Sequence, residues 1–511
     1  MKILLVYPHY PDSFWSFRHT MKFINRKASF PPLGLLTVAA MLPLDWEKRL
    51  VDMNVNSLSD EDLAWADYVF ISAMTIQRKS VREVICRCRQ IGVKIVAGGP
   101  LFTAYHEDFP EVDHLVLNEA EITLPSFLED LQRGEPRHLY ADEQRTDMGT
   151  TPIPLWELAD VRNYAAMNIQ YSRGCPFDCE FCDITVLFGR KPRTKQLPQV
   201  IAELESLYAR GWRGAIFFVD DNFIGDRSKL KREILPAMID WMETKGHPFY
   251  FYTEASIDLA DDDRLMELMV RAGFEEVFIG IETPHEESNA ESGKVQNRKR
   301  DLLTSVRHIQ RSGLQVHGGF IVGFDSDPPT IFDKQIRFIQ ESGIVTAMVG
   351  VLSAMRGTRL YQRLEREGRL LGEGSGSNTA NDLNFIPRME PKALIGGYQT
   401  ILKTIYSPKN YYQRVIRLLS EYQPLHLGKF HLQPGYVGAL FKSILFLGVI
   451  GRERVYFWKL FFWSLAKRPR LFPLAITYAV YGFHVRKVAE KIKGSAIFDG
   501  GDMWVEKDDY V

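Results

Sequence analysis

Three cysteines are the residues of this chain whose type and spacing most directly imply chemistry. Cys175, Cys179 and Cys182 stand at C-x3-C-x2-C spacing within Tyr171-Ser-Arg-Gly-Cys175-Pro-Phe-Asp-Cys179-Glu-Phe-Cys182-Asp. Gly174 and Pro176 break regular structure there and let the backbone turn tightly around a metal centre. Thiolates are the usual ligands of iron–sulfur clusters, and a four-iron cubane normally takes four of them. Three close cysteines with no obvious fourth leave one iron open to an external ligand. Joined by a distant histidine, the same three thiolates would also suit a structural zinc ion. The other two cysteines, Cys86 and Cys88, lie in a helical pattern and point to different faces of it, as packing or surface thiols do.

The cysteine loop needs a scaffold, and the sequence around it is periodic. Strand-like runs at Asn168–Tyr171, Ala215–Val219, Phe249–Thr253, Glu276–Ile281, Gln315–Val322 and Thr346–Leu352 alternate with helical patterns. Repeated βα units predict a partial (β/α)6 barrel over residues 166–371, with the cysteines after its first strand. Barrel chemistry is carried at the carboxyl ends of the strands. Those ends are polar: Asp220 and Asp221 follow the second strand, Glu254 and Ser256 the third, and Glu282 the fourth. Gly319 lies in the fifth strand and Gly357 follows the sixth. Carboxylates suit a cationic amine and hydroxyl groups, because a charge-assisted hydrogen bond is stronger than a neutral one. Each acid alone could be a solvated strand-end charge. Their recurrence after successive strands favours a site.

Residues 1–140 show a second alternation. Lys2–Tyr7, Lys48–Asp52, Tyr68–Ser72, Lys94–Ala97 and His114–Leu117 read as buried parallel strands of a flavodoxin-like (Rossmann-like) α/β sheet. Ligands of such sheets sit at the carboxyl ends of the strands, where Asn54, Ser72, Gly98, Gly99 and Glu119 stand. No G-x-G-x-x-G follows the first strand, which weighs against a dinucleotide and leaves other nucleotides open. His9, His19 and the aromatic residues between them read as core packing or a capping loop. A polar stretch at 141–165 reads as a linker.

The cysteine spacing, with Phe181 directly before the last cysteine, resembles the radical S-adenosylmethionine (SAM) family. That resemblance implies a 4Fe–4S cluster on Cys175, Cys179 and Cys182. It also implies SAM chelated to the open iron and cleaved to a 5′-deoxyadenosyl radical. It points to SAM contacts at Phe181, Asp220, Asp221, Glu254, Ser256, Glu282, Gly319 and Gly357. In the amino-terminal unit, Pro31-Pro-Leu-Gly-Leu35, Gly98-Gly-Pro100 and Asn118-Glu-Ala-Glu121 are similar to landmarks of the cobalamin-binding domain of the cobalamin-dependent subclass. They imply cobalamin contacts at Asn54, Ser72, Gly98, Gly99 and Glu119. In Asp52-Met-Asn54-Val-Asn-Ser57, Asn54 replaces the histidine of the older D-x-H-x-x-G signature and Ser57 its glycine. A carboxamide is a far poorer cobalt ligand than imidazole, so the lower axial position is expected to lack a protein nitrogen.

Over residues 1–410 the chain resembles the cobalamin-binding radical SAM family that includes the hopanoid C-2 and bacteriochlorophyll side-chain methylases. This implies methyl transfer to an unactivated carbon of an apolar, terpenoid or tetrapyrrole-like substrate, with flavodoxin or ferredoxin as electron donor. A cyclase, oxidase or rearranging enzyme with the same cofactors is a second reading, and a non-catalytic iron–sulfur or cobalamin sensor a third.

Composition bounds the remainder. The chain has 511 residues, 45% hydrophobic and 25% charged, with a net charge of −1. Five cysteines make no disulfide framework, and a reducing cytoplasm is expected. No uncharged apolar run reaches the roughly 20 residues that span a bilayer. Gly372–Ser377 reads as a flexible joint, and residues 372–511 as a helical, basic and aromatic region. Between Lys429 and Lys493, twelve Lys or Arg against two Glu leave a net +10, with Trp458, Phe461, Phe462 and Trp463 among them. Such a tail suits the surface of an anionic membrane better than nucleic acid. An ordinary helical cap packed on the barrel is the alternative.

Overall fold

The computed structural model describes residues 1–377, 379, 383–424 and 434–494. Six parallel strands form the amino-terminal sheet: β1 (Lys2–Tyr7), β2 (Glu47–Asp52), β3 (Tyr68–Ser72), β4 (Lys94–Gly98), β5 (His114–Val116) and β6 (Leu139–Tyr140), in the order β2-β1-β3-β4-β5-β6. Alternate side chains of one strand point to opposite faces. Leu4 and Val6 of β1 therefore join one core, while Ile3 and Leu5 join the other. Both faces are covered by helices, which is why these strands read as unbroken apolar runs. The edge strand β6 was not expected. Only two residues long, it is too short to show a period.

Residues 141–165 are not a loose linker. Trp156 is buried in the core, Ala28 and Tyr164 form a β-bridge, and the Tyr164 hydroxyl donates to Asp52 Oδ2 at 3.1 Å. The segment is built into the amino-terminal unit as well as the barrel.

The second sheet contains β7 (Met167–Ile169), β10 (Gly214–Phe218), β11 (Phe249–Ala255), β12 (Phe274–Glu282), β13 (Gln315–Val322) and β14 (Ala347–Val351). Its order, β14-β13-β12-β11-β10-β7, runs straight through the sequence without β14 pairing to β7, so the barrel is open. The short antiparallel pair β8 (Ser172–Arg173) and β9 (Arg193–Thr194) brackets the cysteine loop. Along β11 burial alternates: Phe249, Phe251, Thr253 and Ala255 are buried, while Tyr250, Tyr252 and Glu254 are half-buried.

The carboxyl-terminal region caps this barrel. Helices α1 (Pro391–Ile405) and α2 (Pro408–Glu421) each begin with proline at a position whose N–H needs no partner, after a Glu390 or Ser407 side chain that accepts the first free amides. Arg414 of α2 is buried and donates to the carbonyls of Ile344 (3.1 Å) and Val345 (3.2 Å) at the approach to β14. Helix α3 (Pro434–Ser443) continues as a π-turn, Ile444–Val449, and α4 (Arg454–Lys467) returns beside it. Helix α5 (Phe472–Gly494) lies across the barrel, where the Tyr478 hydroxyl donates to Gln315 Oε1 at 2.7 Å. Its buried His484 donates from Nε2 to the main-chain carbonyls of Ser13 (3.1 Å) and Phe14 (3.2 Å). Most of the tail is thus a packed cap. Trp458, Phe461 and Trp463 lean on the same core, which corrects the expectation that they face lipid, and only Phe462 of that group is exposed. The basic stretch Lys429–Gln433 lies outside the described residues. Gly372–Ser377 is a packed strap: Glu373 pairs with Arg78 at 3.4 Å and with Arg356, and a Cβ on Gly376 would meet Ile76 N at 3.2 Å.

Candidate active site

The cysteine loop leaves β8 at Gly174, whose φ of +92° and crowding by the carbonyls of Lys191 (2.8 Å) and Gly189 (2.9 Å) admit glycine alone. All three cysteines are half-buried. Two side-chain amides approach their sulfurs: Asn222 Nδ2 lies 3.9 Å from Cys175 Sγ, and Gln296 Nε2 lies 3.9 Å from Cys179 Sγ. Asn222 also binds Ser256, through the Ser256 amide (3.2 Å) and hydroxyl (3.2 Å). Ser256 is therefore tied to the cysteine loop through one carboxamide.

Asp220 has a different part from the one expected. It is fully buried; Oδ2 accepts from Tyr171 N at 3.0 Å, and Oδ1 accepts from the Ser172 amide and hydroxyl. Both oxygens are taken up in anchoring the strand that leads into the cysteine loop, so Asp220 positions the loop and does not face a ligand. Burial lifts its carboxyl to about 6 against these hydrogen bonds.

Its neighbour Asp221 is free. Asp221 Oδ2 is buried with no hydrogen-bond partner, and burial, with Asp220 and then Asp183 beside it, raises the carboxyl to about 7. Glu254 is raised to about 8 by burial and by the charges of Asp221 and Glu282. Glu282 sits in a bulge between β12 and β13 with φ +57°, a left-handed conformation that costs a non-glycine residue about 1–3 kcal/mol. That bend turns its carboxylate back over the strand onto Lys294. A Cβ on Gly280 would collide with both members of this pair, so the glycine makes room for it. Burial would lower the Lys294 ammonium, but Glu282, then the Cys179 thiol, hold it above its usual range. Glu282 and Glu254 thus face the Lys294 ammonium beside Cys179, while Asp221 lies by Asp220, Asp183 and Arg173. Asp221 and Glu254 therefore hold their protons up to the neutral range, and a cationic ligand would favour their ionised form.

A consequence is measurable as stability. A carboxyl whose folded pKa lies near 8 instead of 4.5 binds its proton more tightly in the fold. Its contribution is fully present below pH about 4.5 and is lost as pH rises through about 8. Without SAM, the melting temperature of the protein should fall between about pH 5 and pH 8. Glu254→Gln should flatten that slope and raise the midpoint at the alkaline end; an unchanged slope would place Glu254 outside the acid cluster.

The other expected contacts are distributed. Phe181 packs 6.0 Å from Phe324 in a small apolar cluster with Leu352 and Leu360. The turn containing Gly357 (φ +84°) is joined to the cysteine loop, since Leu360 N donates to Glu180 O at 2.9 Å and a Cβ on Gly357 would meet Val186 at 3.1 Å. The space left by Gly319 is filled by the Phe278 ring, 2.9 Å from where a Cβ would be, which corrects the expectation of a ligand there.

On the amino-terminal sheet, Ser72 and Gly98 are register partners at the ends of β3 and β4. Gly98 cannot carry a Cβ, which would lie 2.5 Å from Val116 O, and Gly99 has φ +87° with Ser72 Oγ 2.6 Å from its missing Cβ. The result is a strand edge almost bare of side chains. Asn54 is not free at this edge: Oδ1 accepts from Tyr10 N at 3.0 Å, and Nδ2 donates to Asp52 Oδ1 at 2.8 Å. It ties the loop after β1 to the loop after β2. Glu119 is likewise withdrawn, and the correction has a clear cause. Its buried carboxylate accepts from Arg193 at 2.6 and 2.8 Å and from Thr146 N at 3.0 Å, while Glu121 binds Arg173 at 2.7 and 3.0 Å. Arg173 and Arg193 belong to β8 and β9, so Glu119 and Glu121 fasten the amino-terminal sheet to the hairpin that carries the cysteines.

Sequence reading missed Lys294, Gln296 and this four-charge clamp. Lys294 and Gln296 lie in a polar loop past β12, and nothing in their local sequence separates them from surface residues.

Family models match the chain in three blocks: a B12 binding domain at residues 22–128, the radical SAM superfamily at 169–353, and a domain of unknown function at 358–496. An uncharacterized methyltransferase of Synechocystis sp. is 41% identical over 96% of this chain and 93% of its own length. Hopanoid C-2 methylase of Rhodopseudomonas palustris is 34% identical over 91% of this chain and 89% of its own. The chain belongs to the cobalamin-dependent radical SAM methyltransferase family. Among solved structures, the radical SAM methyltransferase of Kitasatospora setae with cobalamin and a 4Fe–4S cluster bound shares the fold. The TM-score is 0.61, covering 96% of this chain and 99% of that one at 14% identity. The cofactors of this cobalamin-dependent radical SAM enzyme are a 4Fe–4S cluster, SAM and cobalamin.

Proposed function

We propose that the enzyme methylates an unactivated carbon of an apolar, terpenoid- or tetrapyrrole-like molecule, with Cys175, Cys179 and Cys182 holding the cluster. The observation that carries this is the buried acid cluster beside the cysteine loop, with Asp221 near Cys175 and Glu282 and Lys294 near Cys179. The amides of Asn222 and Gln296 suit thiolate sulfurs, which accept such hydrogen bonds. Asp221, Glu254 and Glu282 with Lys294 carry a formal −2 when ionised, which complements a ligand bearing a sulfonium and an aminium. Lys294 would hold the ligand's carboxylate, and the free oxygen of Asp221 its amine. Cobalamin would lie on the bare edge at Ser72, Gly98 and Gly99, with no imidazole offered by Asn54. When bound, these groups supply the radical that removes a substrate hydrogen and the methyl group that replaces it. The protein's part is to orient them and exclude water.

The inner side of the barrel favours an apolar substrate. Phe217 and Tyr252 stack at 4.9 Å, with Phe30 of the amino-terminal unit 5.5 Å from Phe217, and Trp15 lies 4.9 Å from Phe278; all five are half-buried. The relative named for a hopanoid supports the same class. The working units would be a cobalamin domain at 1–140, a barrel at 166–371 and a helical region from 372. The electron donor would be a flavodoxin or ferredoxin, and the enzyme would act in the cytoplasm, peripherally bound to an anionic membrane. No helix of the described residues is long and apolar enough to cross one. Anaerobic turnover of candidate lipids and tetrapyrroles, read by mass, tests the reaction: a gain of 14 mass units is expected. A loss of 2, or no change, in a turned-over substrate would replace methyl transfer with oxidation or rearrangement.

A further inference from the structure

We infer that the hairpin formed by α3, its π-turn and α4 is the element that enters the membrane interface. This deepens the proposed membrane association and rests on it. The exposed large hydrophobic side chains of the described residues concentrate between Val437 and Leu465. Phe441, Leu445 and Val449 recur at four-residue steps, the spacing that places side chains on one face of a helix. Phe441 is 68% exposed and Val449 56%. Ile450 lies at the turn, and Val455 (70%) and Phe462 (62%) extend the patch along α4. The two arms are held together by Trp458, whose indole N–H donates to Gly448 O at 2.9 Å, and by Phe457, packed 3.0 Å from where a Gly448 Cβ would lie. Their apolar stripes therefore sit side by side. Soluble proteins rarely leave such a patch uncovered.

Charge selects the occupant. From 434 to 489 the only acid is Glu453, which is buried and paired with Arg486. Arg452, Arg454, Lys459, Lys467 and Arg470 are all exposed around the apolar patch. The exposed charges of the hairpin itself are all cations, which matches an anionic bilayer, where acyl chains meet the face and headgroups meet the charges. The hairpin packs against the amino-terminal unit through Lys442, which donates to Lys22 O at 2.8 Å, so insertion would hold the cobalamin domain close to the lipid surface.

Co-sedimentation of the full chain with phosphatidylcholine vesicles, with or without phosphatidylglycerol, tests this. Binding to anionic vesicles is expected, partly reduced by salt. Neutralising Arg452, Arg454 and Lys459 to Gln should weaken it about fivefold per charge. Phe441→Ser/Val449→Ser/Phe462→Ser should abolish the salt-resistant part; these side chains are exposed, so an unchanged melting temperature is expected. Equal binding by this variant would overturn the hairpin assignment while leaving membrane association standing on another surface. No vesicle binding by the wild-type chain would overturn both. A wild-type dimer that the serine variant converts to monomer, without vesicle binding, would make the face a self-association surface and overturn the proposal.

Discussion

A Cys175→Ala chain is expected to lose its 4Fe–4S cluster and with it all SAM cleavage. Cys175, Cys179 and Cys182 lie in one loop that Asp220 anchors, and Gly174 bends the chain where that loop begins. Removing one ligand leaves two, too few to retain a cubane whose fourth iron already lacks a protein thiolate. Anaerobic reconstitution followed by iron and sulfide analysis should give near background values, and 5′-deoxyadenosine should not form. Cys86→Ser, at an exposed position, should match the wild type in both measurements. Cys88 is fully buried in the amino-terminal core, so Cys88→Ser should cost about 1–3 kcal/mol of stability through a buried hydroxyl and leave cluster content unchanged. Full cluster and SAM cleavage in Cys175→Ala would reject the ligand assignment.

The second large effect is expected at the clamp between the two units. Arg173, Arg193, Glu119 and Glu121 have side chains between 1% and 14% exposed. Arg173→Met leaves Glu121 buried without its partner, and breaking a buried pair in this way costs about 3–5 kcal/mol. Arg173→Met/Glu121→Gln removes both charges and should recover most of that loss, since Glu119 keeps Arg193. Burial works to raise Glu121, but the hydrogen bond from Arg173 holds the carboxyl below its ordinary value of 4.5. The clamp's contribution is therefore present above pH about 4.5 and lost as pH falls below it. Function should separate from stability in the double variant. SAM cleavage should recover, whereas methyl transfer, which would need both units in register, should stay reduced. Recovery of both together would make the clamp a stabilising feature without a role in alignment.

Much of the architecture was readable from local pattern. Strands β1, β3 and β13 run as their apolar stretches predict, and the remaining expected strands differ by one or two residues at their ends. Burial on both faces leaves an unbroken apolar run, which needs no tertiary information to be seen. The cysteine triplet is also a local feature, because its spacing lies within one loop.

Tertiary structure decided which polar residues at the strand ends are free. Asp220 and Asp221 are adjacent and chemically identical, yet one binds two amides and a hydroxyl from 48 or 49 residues away and the other keeps a buried oxygen without a partner. Glu119 was expected at a cofactor and instead meets Arg193, 74 residues on. Lys294 reaches Glu282 only because the bulge at Glu282 bends the strand and Gly280 leaves space beneath it. In the tail, Trp458 and Phe462 stack at 5.6 Å, yet the first leans on the core and the second faces outward. Secondary structure follows from periods of two and about 3.6 residues, which the chain carries locally. Whether a carboxylate meets an arginine, an amide or nothing depends on segments many residues apart, and packing alone brings those together.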